Sequence, residues 1–204
     1  MQLPIDEIVE NGIAFNLRRK MPMYDIRATV RALFADLHTA KVDYVLVGGV
    51  ALLSYIQGRN TQDVDLIVAP KQLKKIDWQA KIEDKDFGKA NYHGFQVDLL
   101  LTTNKLFAYV SKKERTTITF DGISVPCATP EGLLLLKLYA LPLLYRQGDF
   151  DRADLYETDI AMLLRHTKIA DEDLFAVLSG HLASDDIDEL RRILQEQRER
   201  RRFT

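Results

Sequence analysis

Apolar and polar residues repeat along this chain with two different periods, and the change of period divides it. Between Asp25 and Ala40, Ile26, Val30, Leu33, Phe34 and Leu37 recur every three or four residues, which predicts an amphipathic helix with one face on a core. Val42 to Val47 is a β-branched and aliphatic run halted by Gly48-Gly49. It reads as a buried strand ending in residues that tolerate any backbone conformation. Val50 to Ile56 predicts a short helix. Gln62 to Val68 predicts a second strand, on which Asp63 and Asp65 share one face while Val64 and Leu66 take the other. Pro70 closes that strand, and Lys71 to Trp78 is predicted helical with its lysines in solvent. Gly94 to Thr102 reads as an apolar strand whose only charge is Asp98, and Leu106 to Lys112 as a short helix. Thr116 to Phe120 and Ile123 to Pro126 flank Asp121-Gly122, a two-residue signal for a hairpin.

From Thr129 onward the period is helical throughout. Thr129-Pro130-Glu131 reads as N-cap, first-turn proline and first-turn acid for a helix over Gly132 to Tyr139, apolar nearly all round and so buried. Lys137 stands alone on it, and the helix by itself favours a lysine that snorkels to water along its aliphatic stem. A further helix opens near Phe150, and Leu174 to Leu182 and Ile187 to Leu194 predict two more. The pattern predicts a mixed α/β lobe over residues 1–128 and a helical lobe over 129–204.

Composition narrows the classes. A chain of 204 residues that is 47% hydrophobic buries a substantial core and is neither disordered nor membranous. Its longest apolar stretch, Leu133 to Leu144, is interrupted by Lys137 and Pro142 and is too short to span a bilayer. Met1 to Lys20 lacks a signal-peptide pattern, since Asp6, Glu7 and Glu10 precede its basic cluster, so the expected location is cytoplasmic. One cysteine, Cys127, excludes an internal disulfide and a cysteine-rich metal site. A net charge of −2 argues against a uniformly basic nucleic-acid binder. The nucleotide-binding glycine loops, the zinc-protease helix and the serine-hydrolase elbow are all missing, and His38, His93, His166 and His181 are scattered without ligand spacing.

The chemistry concentrates between Val45 and Val68. A helix opening on Gly48-Gly49 would direct free N–H groups and the positive end of its dipole at an anion, with phosphate a natural occupant. Asp63 and Asp65 would stand roughly 6.5 Å apart along one strand face, close enough to share hard cations. Asp-x-Asp alone is weak evidence. The order glycine pair, short helix, Arg59, Thr61, Asp63-Val-Asp65 is far more specific, and it resembles the glycine motif of the polymerase β-like nucleotidyltransferases. Within that superfamily it is most similar to the AbiEii-type enzymes of bacterial toxin–antitoxin and phage-defence systems. The likeness covers most of Val42 to Leu164.

The resemblance implies a nucleotidyltransferase mixed sheet followed by a helical bundle, and a transfer of NMP from an NTP to a hydroxyl with release of pyrophosphate. It implies two Mg²⁺ ions held by Asp63 and Asp65, with Asp98 as a further metal ligand or as general base. Gly48, Gly49, Arg59 and Thr61 would line the nucleotide site. AbiEii-like chains carry a Thr-Pro-Glu-x-Leu-x-x-x-Lys segment whose lysine faces the triphosphate, and Lys137 matches it; Arg146 matches a later arginine. The element after that arginine departs from the family in carrying Phe150 where a base is usual, and Asp151 and Asp154 read either as orienting partners for Lys137 or Arg146 or as acids that complement a helix dipole. RNA, tRNA in particular, is the implied acceptor, and an antitoxin an implied partner. Six arginines from Arg191 to Arg202 offer an RNA contact, although Glu189, Glu196 and Glu199 interleave and favour a salt-bridged surface helix. Modification of a protein or a drug, or a non-catalytic RNA- or partner-binding module, are the alternatives.

Overall fold

A computed structural model describes residues 26–56, 61, 63–167 and 169–200. By their contacts the residues divide into two units, one ending at Thr129 and the other running from Pro130 to Thr204.

The first unit is built on a seven-stranded sheet in the order β3-β4-β5-β2-β1-β7-β6. Its strands are β1 (Tyr44–Val47), β2 (Val64–Val68), β3 (Lys81–Ile82), β4 (Phe87–Tyr92), β5 (Phe95–Leu101), β6 (Arg115–Phe120) and β7 (Ile123–Ala128). β1 pairs antiparallel with β2, and β2 runs parallel to β5 with Asp65 opposite Asp98. β7 returns parallel to β1 at Leu46↔Cys127. The predicted hairpin is present, with Asp121 and Gly122 at φ 46° and 78°, as its mirror-image turn requires.

Register decides what each face of the sheet carries. Tyr44, Leu46, Val64, Leu66, Val97 and Leu99 share one face and are all buried. Helix α1 (Ile26–Thr39) covers that face: Phe34 stacks on Tyr44 at 6.3 Å and meets Phe120 edge-on at 5.3 Å, and the Tyr92 hydroxyl donates to Asp36 at 2.6 Å. The opposite face carries Asp65, Ile67, Asp98, Leu100, Phe87 and Lys89. At its Phe87 end it is closed by α3 (Lys105–Lys113), whose Phe107 meets the Phe87 ring at 5.5 Å. The side chain of Asn104 caps α3 by accepting from the amides of Leu106 and Phe107.

Several predicted elements shift. The short helix α2 spans Gly48–Leu52, starting on the glycines rather than after them. β2 begins at Val64, so Asp63 stands in a bend before the strand instead of on it. The stretch after Pro70 is a 3-10 turn, Pro70–Lys75, and Trp78 lies beyond it, buried with Nε1 donating to the Leu73 carbonyl at 2.8 Å. β3 and β4 were not predicted.

The second unit is helical: α4 (Pro130–Gln147), α5 (Phe150–Leu163), α6 (Asp171–Leu178) and α7 (Ser184–Arg200). α4, at 18 residues, is more than twice the predicted length because Pro142 is accommodated within it. Among the described residues no helix is long and apolar enough to cross a membrane.

Candidate active site

Gly48 has φ +65°, a conformation that costs an L side chain about 1–2 kcal/mol, and it is also where the chain meets its neighbour most closely. A Cβ built there would stand 1.8 Å from Asp65 Oδ2. The Asp65 carboxylate therefore occupies the space that a side chain at position 48 would fill. Gly49 repeats the device with another partner, since a Cβ on it would lie 2.3 Å from Thr61 Oγ1. That hydroxyl donates to the Asp63 carbonyl at 3.3 Å. The glycine pair and the 61–65 segment thus interlock at two points, and Asp63 lies between them.

Asp98 stands beside Asp65 on the next strand. As direct partners in a parallel pair, with Cα atoms about 5 Å apart, the two present their carboxylates to the same face. Both are half-buried. Gln96, two residues earlier on that face, donates from Nε2 to Asp98 Oδ1 at 2.8 Å. On the other side of Asp98, β4 places Lys89 directly opposite, and β3 places Lys81 opposite Lys89. One row across the sheet reads Lys81, Lys89, Asp98, Asp65, Val47.

The structure brings Gly48, Gly49, Thr61, Asp63, Asp65 and Asp98 together, while Arg59 lies outside the described residues. The three carboxylates do not form a preassembled cage: among the described residues no group of three acidic, histidine or cysteine side chains is placed to hold a metal. β2 starts at Val64, so Asp63 lies outside the ladder and Asp65 and Asp98 are the in-register pair. Two hard oxygen donors still suit Mg²⁺, which is commonly bound through one or two carboxylates together with substrate phosphates and water.

In the helical unit, Lys137 does not snorkel. It is 6% exposed, its Nζ lies 3.0 Å from Asp159 Oδ2, and it sits 3.5 Å above the centre of the Tyr156 ring. Asp159 is fully buried, whereas Asp151 and Asp154 point to solvent. Neither of those two orients Lys137 or Arg146. Asp159 holds the first, and Asp186 on α7 pairs with Arg146 at 2.6 Å. Asp159 had a legible signal, because Ala153, Tyr156, Ile160 and Leu163 trace a core stripe on α5 and an acid beside that stripe needs a cation. Of the C-terminal arginines, Arg192 pairs with Glu189 at 2.7 Å, Arg198 grips Asp171 with two nitrogens, and Arg191 lies 4.2 Å over Phe175. Arg201 and Arg202 lie outside the described residues.

No protein-family model matches the chain, nor does any curated protein sequence. Solved structures do. An antigenic nucleotidyltransferase-like protein from Paracoccidioides brasiliensis superposes with a TM-score of 0.53 at 18% identity, over 84% of this chain and 92% of that one. ANT(2'')-Ia, solved in complex with adenylyl-2''-tobramycin, gives 0.53 at 12% identity over 87% and 99%. The solution structure of the same antibiotic-resistance factor gives 0.50 at 10%, over 87% and 95%. With a seven-stranded mixed sheet flanked by helices and superposing on these proteins over most of its length, the chain has the nucleotidyltransferase fold.

Proposed function

We propose that this chain is a metal-dependent nucleotidyltransferase that transfers NMP from an NTP to a hydroxyl at the end of an RNA, as the toxin-like member of an AbiEii-type system. The observation that carries the chemistry is the pairing of Asp65 with Asp98 on one sheet face, with the Asp65 carboxylate seated against Gly48. Two adjacent carboxylates repel each other, and a divalent cation relieves that repulsion. Asp65 and Asp98, with Asp63 nearby, are the residues that would hold Mg²⁺. When bound, the ion neutralises phosphate charge and favours the ionised form of an attacking hydroxyl.

The absence of a side chain at position 48 leaves the Asp65 carboxylate its place, and the Gln96 amide orients Asp98 through Oδ1. Its other oxygen, Oδ2, is left to accept the proton of the acceptor hydroxyl. The acceptor oxygen then bonds to the α-phosphorus as the bond from that phosphorus to the bridging oxygen breaks, and pyrophosphate leaves. Thr61 keeps the Asp63 bend against Gly49. The glycine-to-aspartate motif and the Lys137 segment support the AbiEii assignment and its RNA acceptor.

Asp65→Asn and Asp98→Asn, incubated with each α-labelled NTP and total RNA, test the reading. Both should lose transfer by at least about a hundredfold while circular dichroism and melting stay close to wild type, as expected when a metal ligand or general base is removed. Wild-type turnover in both variants would reject it.

A further inference from the structure

The row of sheet that runs outward from the candidate carboxylates carries two lysines, although the segment from Lys81 to Tyr92 as a whole balances three lysines against Glu83, Asp84 and Asp86, and the row bears on which acceptor the site accepts. β3 and β4 lie beyond Asp98, and Lys81 and Lys89 occupy the same row and face as Asp98 and Asp65. Both lysines are exposed, Lys89 by 51% at its side chain. The acids of the connecting loop are engaged locally. Asp84 Oδ1 accepts from the amides of Asp86 and Phe87 at 2.7 and 2.8 Å, and Asp86 accepts from Asn104 Nδ2. Glu83 meets Lys89 at 3.5 Å. A pair so exposed is worth little, so a phosphate displaces it at small cost. Among the described residues Lys81 and Lys85 form no ion pair. On this row a cationic aminosugar would meet two lysines, whereas a polynucleotide would find counter-charges for its backbone.

We infer that the exposed face of β3 and β4 is the acceptor platform, on which Lys89 and Lys81 hold backbone phosphates of an RNA strand so that its terminal hydroxyl lies at Asp98. This rests on the reading of the chain as a nucleotidyltransferase with an RNA acceptor, and it assigns that acceptor its surface. The position of Lys89, one strand from Asp98, puts the first bound phosphate beside the proton acceptor. Lys81, one strand further out, takes the next along the chain.

The test uses the full chain, α-labelled NTPs and a short oligoribonucleotide with a free 3′-hydroxyl. The double variant Lys81→Gln/Lys89→Gln should raise KM for the oligonucleotide about tenfold and flatten its log–log salt dependence by about one unit for each phosphate no longer neutralised, two in all. KM for the NTP should not move. Glu83→Gln, which releases Lys89, should lower KM for the oligonucleotide. Unchanged oligonucleotide KM and salt slope in the double variant overturn the platform, as does better labelling of tobramycin than of RNA. The Asp65→Asn control separates the two failures: label that reaches RNA and depends on Asp65 but not on the lysines sinks the platform alone, while no label on any acceptor sinks the parent reading with it.

Discussion

Replacing Lys137 by Met removes a charge while keeping the stem and volume of the side chain, so the structural consequence falls on Asp159. That carboxylate is fully buried and faces the lysine at 3.0 Å. Removing one partner of a buried pair leaves an uncompensated charge, at a cost of about 3–5 kcal/mol. For a chain of this size each kcal/mol is worth roughly 2–4 °C, so the midpoint of thermal unfolding should fall by about 6–20 °C. Lys137→Met/Asp159→Leu removes both charges, and replacing a buried pair by apolar groups is commonly neutral or stabilising, so most of the loss should return. The two readings of Lys137 separate in this cycle. If its only duty is the ion pair, the double variant recovers nucleotide affinity along with stability. If the lysine also grips the triphosphate, as the resemblance implies, stability returns and affinity does not. Differential scanning calorimetry with NTP titration on wild type, Lys137→Met, Asp159→Leu and the double variant measures both. A single variant that melts within about 2 °C of wild type would refute the argument from burial, since that is less than 1 kcal/mol.

Two further outcomes follow from the geometry. Gly48→Ala puts a methyl 1.8 Å from Asp65 Oδ2 at a φ of +65°, so it should displace that carboxylate and abolish labelled-NTP transfer, at a stability cost of about 1–2 kcal/mol in urea unfolding; normal transfer would remove Asp65 from the chemistry. Burial pushes the Cys127 thiol up from about 9 to about 12, and a thiol disulfide reagent at pH 8 should therefore label it only after denaturation. Because the unfolded thiol ionises first, this residue's contribution to stability declines as pH rises from about 9 to 12, and rapid labelling of the native protein at pH 8 would contradict its burial.

The residues that carry the proposed chemistry were legible because their constraints are local. Gly48-Gly49 after an aliphatic strand follows from glycine's backbone freedom, Asp65 on the next strand follows from alternation, and Asp121-Gly122 names its own turn, whereas Asp63, expected on that strand, falls in the bend before it. β4 was invisible for a local reason too: its buried positions, Gly88, Ala90 and Tyr92, are mostly small, so the period-two signal is weak. What no segment encodes alone is who faces whom. Asp98 became the partner of Asp65 only through the parallel register of β2 and β5, and Lys89 came beside Asp98 only because β4 pairs with β5. In the helical unit, Lys137 on α4 and Asp159 on α5 meet across 22 positions of sequence, and the burial that forbids either to stay unpaired exists only once the helices pack. Periodicity fixes which side chains share a face of one element; only tertiary packing brings two faces together and sets the desolvation that makes a charge need its partner.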